Sequence, residues 1–161
     1  MLCEPGRTER RNLVSDWDGR KRMDWGYILV GPGRPSGKDQ LSALLDAGLK
    51  TKNSAFFRSD TIRKGRPGYG GGRTQLTGRS ALLEAMMRGD TLIVAEPFCA
   101  GISGHDVRLF LRELRSRGVM LKIPDGQFEV GPDQDGSALV REISRRQNRA
   151  HRLAWERNKK T

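Results

Sequence analysis

The sequence is short of the residues on which several protein classes depend. Aromatic residues make up 6% of the 161-residue chain and hydrophobic residues 35%, which is low for a fully globular protein. Part of the chain is therefore expected to be solvated tail, loop or exposed helix. No run approaches the ~18 apolar residues that span a bilayer, and the charged N-terminus has no apolar signal segment. We expect a soluble, cytoplasmic protein without membrane contact.

Cysteine and histidine are also scarce, with two of each. Cys3 and Cys99 are too far apart in the sequence to suggest a disulfide framework or a zinc site. His105 and His151 have no cysteine or carboxylate companion at the spacing of metal ligands. We therefore expect no bound metal, and nothing in the sequence suggests a cofactor.

Acidic residues are fewer than basic ones. The chain has 19 Asp and Glu against 30 Lys and Arg, and its formal net charge is +11. A charge of about 2–8 is enough to keep a small domain soluble. The larger excess favours a polyanionic partner, whose counterions are released when basic side chains neutralise its phosphates. No amphipathic membrane anchor is visible, so the charge indicates nucleic acid rather than a lipid surface.

Short apolar runs alternate with helical patterns along the middle of the chain. This alternation predicts an α/β fold with a mainly parallel, four- to five-stranded sheet flanked by helices, since each helix crosses over between parallel strands. A glycine- and proline-rich stretch over 60–79 predicts a long mobile loop. The predicted strands are 27–30, 55–57, 91–95 and 119–123, with a possible edge strand at 128–130, and the predicted helices cover 38–48, 82–89 and 107–118.

A single long helix is predicted from about Gly136 to Lys160. One of its faces carries a narrow apolar seam and another carries a stripe of arginines. We expect the helix to project from the body and to form a homodimer through the seam, the alternative being that it folds back on its own domain. The seam consists of Val140, Ile143, Ala150 and Ala154, and the stripe of Arg141, Arg145, Arg149 and Arg152.

Three regions follow from these patterns. Residues 1–24 are charged and without periodicity, which predicts a flexible basic arm. Residues 25–132 form the α/β domain, and residues 133–161 form the long basic helix.

The segment from Gly31 to Lys38 has a superficial likeness to a nucleotide-binding phosphate loop, because it follows a predicted strand and precedes a predicted helix. The spacing fails in two places. Pro32 stands where the motif needs glycine, and Asp39 stands where it needs the Ser or Thr that ligates magnesium. NTP hydrolysis is therefore disfavoured.

Five segments carry a family likeness when they are read in order. A strand ends in Tyr-x-x-Val-Gly, a helix ends in Ala-Gly, a strand begins Gly-Asp-Thr-Leu-Ile-Val, a helix ends Glu-Leu-Arg-Ser-Arg-Gly, and the long helix contains Ile-x-x-Arg-x-x-x-Ala. Together they resemble the catalytic domain of the resolvase/invertase serine recombinases over roughly residues 25–160. The segments are 26–31, 40–48, 89–94, 112–118 and 143–150.

The departures from this family concentrate where its chemistry lies. The nucleophilic serine of the family falls on Gly31, and the arginine two residues earlier falls on Leu29. The Asp-Arg-Leu-Gly-Arg-Ser motif falls on 98–103. Its aspartate and both arginines are thereby replaced, by Phe98, Cys99 and Ile102.

Three residues around the replaced motif agree with the family and support the alignment, namely Gly101, Ser103 and Asp106. Ser36 and Ser103 lack the cationic cluster that a serine attack on phosphate needs. The resemblance leaves open whether Arg73 or Arg79 matches a remaining family arginine, because the loop predicted over 60–79 makes the alignment ambiguous there. The resemblance therefore implies a pseudoenzyme without catalytic residues.

The family's long helix leads into a helix-turn-helix domain, whereas this chain stops at Thr161. We therefore expect binding to phosphates with weak sequence preference. The predicted function is a catalytically inactive, recombinase-like DNA-binding accessory or regulatory protein. The alternative is a protein-interaction module that pairs with a recombinase or another assembly through its C-terminal helix and does not itself bind DNA; the partner could then be a recombinase or another DNA-bound protein. The predicted DNA contacts are the helix stripe and the loop cations Arg63, Lys64, Arg66 and Arg73.

Overall fold

The structure is a computed structural model that describes residues 22–49, 56–62, 76–125 and 128–159. Its strands form one five-stranded sheet in the order β2-β1-β3-β4-β5. The first four run parallel, and β5 pairs antiparallel with β4 at the edge. The predicted α/β fold with a mainly parallel sheet is confirmed. The strands are β1 (Asp24–Val30), β2 (Phe57–Thr61), β3 (Thr91–Val94), β4 (Met120–Ile123) and β5 (Phe128–Val130).

Helices cover both faces of this sheet. They are α1 (Gly37–Asp46), α2 (Thr77–Ala85), α3 (Gly104–Arg117) and α4 (Ser137–Lys159), with a short 3-10 helix at Pro97–Cys99. On one face α1 packs with Leu44 against Ile28 and Ile93. On the other face α2, α3 and the start of α4 pack against Tyr27 and Leu92. Neighbouring strand residues point to opposite faces, which is why two separate apolar clusters form.

The serines before α1 and α3 cap these helices. The hydroxyl of Ser36 accepts a hydrogen bond from the Asp39 N–H, and that of Ser103 accepts one from the Asp106 N–H, each at 3.2 Å. These bonds satisfy backbone donors that the first helical turn leaves unpaired. At its other end α3 stops at Gly118, whose φ of +71° is the left-handed conformation that favours glycine.

The largest differences from the predicted element boundaries lie at β2 and α2, while β1 begins at Asp24 and α3 at Gly104, each three residues earlier than predicted. The second strand is Phe57–Thr61 rather than 55–57, and α2 begins at Thr77 and ends at Ala85 rather than covering 82–89. Both differences shorten the loop predicted over 60–79. β2 lies at the edge of the sheet with Arg58 and Ser59 exposed, so no apolar run marks it in the sequence.

The long helix α4 projects from the body only in its second half. Leu139, Val140 and Ile143 are buried against α3 and the 3-10 helix. Every residue from His151 to Lys159 is exposed. The prediction that the helix projects from about Gly136 onward is therefore wrong for its first turns, where three large apolar side chains gain more by joining the core.

Candidate nucleic-acid interface

The carboxyl ends of β1 and β3 lie side by side, because these strands are parallel neighbours. The residues that the serine-recombinase resemblance aligns with the family's catalytic positions lie at this edge. Leu29 and Cys99 are fully buried, Phe98 is nearly so, and Ile102 packs partly buried against the same core. Burial raises the pKa of the Cys99 thiol to about 12, so little thiolate exists at neutral pH.

Arg34 joins the loops that follow these two strands. Its Nε donates to the Phe98 carbonyl at 2.7 Å, and its terminal nitrogens donate to the carbonyls of Pro32 and Gly101 at 3.0 and 2.8 Å. The guanidinium also lies over the Phe98 ring, 3.9 Å from its centroid, in a cation–π contact. Arg34 therefore closes the loops on each other rather than presenting a charge to a ligand.

Arg79 has a similar structural role at the same edge of the sheet. It makes two hydrogen bonds with the Asp106 carboxylate, at 2.7 and 2.8 Å, and a third to the Ala100 carbonyl. Its guanidinium lies over the Phe110 ring at 4.4 Å. Bidentate pairing of this kind is geometrically specific and strong for a hydrogen bond. If Arg79 matches the remaining family arginine, its charge is already neutralised by Asp106.

Asp60 completes the polar contacts at this edge. Its carboxylate accepts hydrogen bonds from the Tyr27 hydroxyl at 2.7 Å and from the N–H groups of Gly78 and Arg79 at the start of α2. Burial, together with the hydrogen bond to Asp60, raises the pKa of Tyr27. Asp60 thus caps α2, and its hydrogen bond from Tyr27 connects this cap to β1.

The arginines of α4 have different surroundings. Arg141, Arg145, Arg149 and Arg152 are all exposed. At 3.6 residues per turn they fall within about a quarter of a turn of one another, on the side of the helix away from buried Ile143. We call these four residues the α4 row. The predicted arginine stripe is therefore presented to solvent along one helix face.

A large open groove runs along the α4 row. Its volume is about 1260 Å³, and Arg108 of α3 contributes to its lining together with the row. Small-molecule sites usually enclose roughly 300–1,000 Å³ with mostly apolar linings. A wider, open groove lined by guanidinium groups suits an extended polyanion better than a small ligand.

Most arginines of the groove have no partner among the residues that the structure describes. No hydrogen bond, ion pair or ring contact to that part of the chain involves Arg108, Arg141, Arg149 or Arg152. Arg34 and Arg79, by contrast, are each held by three hydrogen bonds. The groove thus holds four guanidinium groups without a partner in the described chain.

Glu142 and Arg146 border this surface and partner each other. Glu142 accepts from Arg146 Nε at 3.0 Å and also pairs with Arg145. These two arginines lower the pKa of Glu142. Arg146 also reaches Asp125 at 3.3 Å and Glu96 at 3.9 Å. Burial raises the pKa of Glu96 against the opposing charge of Arg146. Arg146 therefore anchors α4 to the sheet and is not part of the unpartnered set.

The remaining predicted residues divide between two locations. Arg63, Lys64, Arg66 and Arg73 lie outside the described residues. Within the predicted dimer seam, Val140 and Ile143 are buried in the core of their own chain, Ala150 is half-buried and Ala154 is exposed. The two largest members of the seam are thus already packed, as the folded-back alternative requires.

Sequence reasoning missed the arginines of α3. Arg108, Arg112 and Arg115 recur at three- and four-residue spacing, as the predicted stripe does, and all three are exposed. The spacing was visible in the sequence. Only the fold shows that Arg108 lies beside Arg141, because α3 and α4 are separated by two strands along the chain.

Comparison with known proteins assigns no family to the chain. No protein-family model matches the chain, and no curated protein matches it in sequence. Among the described residues there is no cluster of three potential metal ligands. In the same part of the chain, no helix has the length and apolarity needed to cross a bilayer.

Proposed function

We propose that the protein binds DNA through the phosphate backbone, using the α4 row, and acts as a recombinase-like accessory or regulatory protein that does not cut DNA. One observation carries the proposal. Four arginines that make no hydrogen bond, ion pair or ring contact within the described chain line one groove together, namely Arg108, Arg141, Arg149 and Arg152. Arg34 and Arg79, by contrast, are held by carbonyls and a carboxylate. A DNA partner also agrees with the cytoplasmic location expected from the sequence.

The length of the row suits a nucleic-acid backbone. Eleven residues separate Arg141 from Arg152, or about 16 Å at 1.5 Å per residue. Each strand of a duplex carries a phosphate every ~3.4 Å along its axis, so the row faces a stretch of about five base pairs. Because no neighbour orients Arg141, Arg149 or Arg152, these side chains lack a fixed base-reading geometry, and weak sequence preference is expected.

The catalytic part of the proposal rests on the carboxyl ends of β1 and β3. A serine nucleophile acting on phosphate needs its hydroxyl beside a cluster of guanidinium groups. Gly31 offers no hydroxyl, and the hydroxyls of Ser36 and Ser103 cap helices. Arg34 and Arg79 are engaged by backbone carbonyls and Asp106. These features favour a domain that has a recombinase-like α/β fold and does not cleave DNA.

The test replaces the three unpartnered arginines of the row, as Arg141→Ala, Arg149→Ala and Arg152→Ala together. Affinity for two unrelated 20-base-pair duplexes is measured by anisotropy across a salt series. Each phosphate contact contributes about 0.9 to the slope of log affinity against log salt. We expect the slope to fall by roughly 2–3 and affinity to fall equally for both duplexes.

The matched control removes the same charge elsewhere. Lys38, Arg58 and Arg88 are exposed and do not line the groove, so their triple alanine variant should retain most of the affinity and the slope. Equal losses in both variants would mean that only net charge matters. If the α4 variant binds like the wild type, the row does not contact DNA and the proposal fails.

A protein-interaction module is the second candidate, and the distal half of α4 favours it. Leu153 is 48% exposed and Trp155 62% exposed, so a partner packed on this part of the helix would gain from burying apolar side-chain area. Pairing with a recombinase or a second copy of the chain would cover them. Such a module would show no salt-dependent DNA binding of its own, so the same salt series distinguishes the two candidates.

A further inference from the structure

A second row of arginines lies on α3. Arg108, Arg112 and Arg115 are exposed and occupy one face of the helix, because residues four and three positions apart align. We call these three residues the α3 row. Arg108 and Arg112 have no partner in the described part of the chain. Arg115 donates from Nε to the Pro132 carbonyl at 3.1 Å, which leaves its two terminal nitrogens for other acceptors.

The two rows meet where α3 and α4 pack together. The large groove is lined by the α4 row and by Arg108. A second groove of about 560 Å³ is lined by the α3 row and by Arg141. Arg108 and Arg141 therefore line both grooves, and the basic surface passes from one helix to the other without interruption.

The close packing of the two helices sets this arrangement. Gly104 at the start of α3 lies so near α4 that a Cβ there would overlap the Ser144 hydroxyl. A glycine at this point lets the helices approach and brings Arg108 beside Arg141. The junction is part of the folded core, since Val140 and Phe110 are buried nearby.

Acidic residues along the path do not cancel the charge. Asp135 lines the second groove, but its carboxylate accepts a hydrogen bond from the Ser137 N–H at 3.1 Å. Glu142 lines the first groove and is occupied by Arg145 and Arg146. Two carboxylates therefore face eight arginines over the joined surface, namely Arg146 and the seven arginines of the two rows.

We propose that the DNA-binding surface extends over α3, where Arg108 and Arg112 bind phosphates beyond those reached by α4. This inference rests on the proposed function. The α3 row is about 10 Å long at 1.5 Å per residue, which adds roughly three base pairs of backbone to the contact. The seven arginines then act as one continuous phosphate-binding path across two helices.

The test is the variant Arg108→Ala/Arg112→Ala, compared with the wild type and with Lys38→Ala/Arg88→Ala, which removes equal charge outside both grooves. A 20-base-pair duplex is titrated across the same salt series, and circular dichroism melting confirms that each variant folds. We expect the α3 variant to lower the salt slope by about 2 and the control to leave it nearly unchanged.

Adding the α3 substitutions to the α4 triple variant distinguishes the two proposals. Additive losses of slope support one path over both helices. If the α3 variant behaves like its control while the α4 variant loses binding, the extension to α3 is wrong and the proposed function stands. If neither variant differs from its control, DNA binding through these arginines is itself refuted.

Discussion

At the scale of single residues, identical side chains have different roles because their surroundings differ. Arg34 and Arg79 are surrounded by carbonyl and carboxylate oxygens, and each lies over a phenylalanine ring. Arg141 and Arg149 make no hydrogen bond, ion pair or ring contact within the described chain. The first pair stabilises the fold, whereas the second pair remains available to phosphate oxygens.

Gly101 provides a test of the first group. A Cβ at this position would overlap the Asp106 carboxylate and lie 2.7 Å from Val107 Cγ2 and 2.9 Å from Arg79 Nη1. Gly101→Ala should therefore force apart the Arg79–Asp106 pair and lower the free energy of unfolding by about 1–3 kcal/mol, as overpacking does in other cores. Urea denaturation monitored by circular dichroism measures the change.

Gly131→Ala is the matched control. Gly131 has no positive φ, and a Cβ there would meet nothing within 4 Å, so the free energy of unfolding should change by less than about 0.5 kcal/mol. Equal stability of the two variants would show that the contacts around Asp106 do not support the fold.

At the scale of elements, the two halves of α4 have different surroundings. Its first turns bury Leu139, Val140 and Ile143 in the common core, and Arg146 pairs with carboxylates from three other positions. Its last nine described residues are all exposed. The first half therefore stabilises the domain, and the second half is free to serve binding.

Truncation after Ala150 separates these two roles. The shortened chain should unfold with a free energy within about 0.5 kcal/mol of the full chain, because residues 151–159 are all exposed. The truncation removes Arg152 together with Arg157, Lys159 and Lys160, so the salt slope of DNA binding should fall by at least about 1. If the predicted homodimer forms through the exposed end of the helix, light scattering should find a dimer for the full chain and a monomer after truncation.

Deletion from Gly136 onward is the contrasting variant. It removes Leu139, Val140 and Ile143 from the core, each buried by at least nine-tenths, and should prevent stable folding. A monomeric full chain in light scattering would contradict the predicted homodimer, and a large loss of stability after the short truncation would contradict the division of α4.

At the scale of the whole molecule, the sheet brings the ends of β1 and β3 together without assembling reactive groups there. Leu29, Phe98 and Cys99 are buried at this edge, and Arg34 bridges the two loops. The basic surface lies on α3 and α4 instead. The architecture thus separates the residues that hold the fold from the residues proposed to bind DNA.

Catalytic inactivity is the prediction that belongs to this scale. Incubation with supercoiled plasmid should give neither nicked DNA nor a covalent protein–DNA adduct, because Gly31 has no hydroxyl at the position that the resemblance aligns with the family's nucleophile, and the hydroxyls of Ser36 and Ser103 accept capping hydrogen bonds. Agarose electrophoresis and denaturing gels measure the two products, with an active serine recombinase as the positive control. A phosphoserine linkage recovered from this protein would refute the prediction.

Much of the fold was predictable because its signals are local. The apolar runs at β3 and β4 and the helix ending at Gly118 are each written in consecutive residues, and the structure confirms them. β2 was predicted at 55–57 rather than at Phe57–Thr61, because an edge strand needs no apolar run and Arg58 and Ser59 are exposed there. The start of α2 escaped prediction because its cap comes from Asp60 across the fold rather than from a preceding residue.

The sequence by itself determined the net charge, the alternation of strands and helices, and the spacing of arginines along each helix, because all of these depend on residues near one another in the chain. Only the tertiary structure decided which arginines are engaged and which are available. That outcome depends on which carbonyls and carboxylates lie within about 3 Å of a guanidinium. Arg34 meets Phe98 and Gly101, and Arg108 meets the α4 row, only when distant segments pack together.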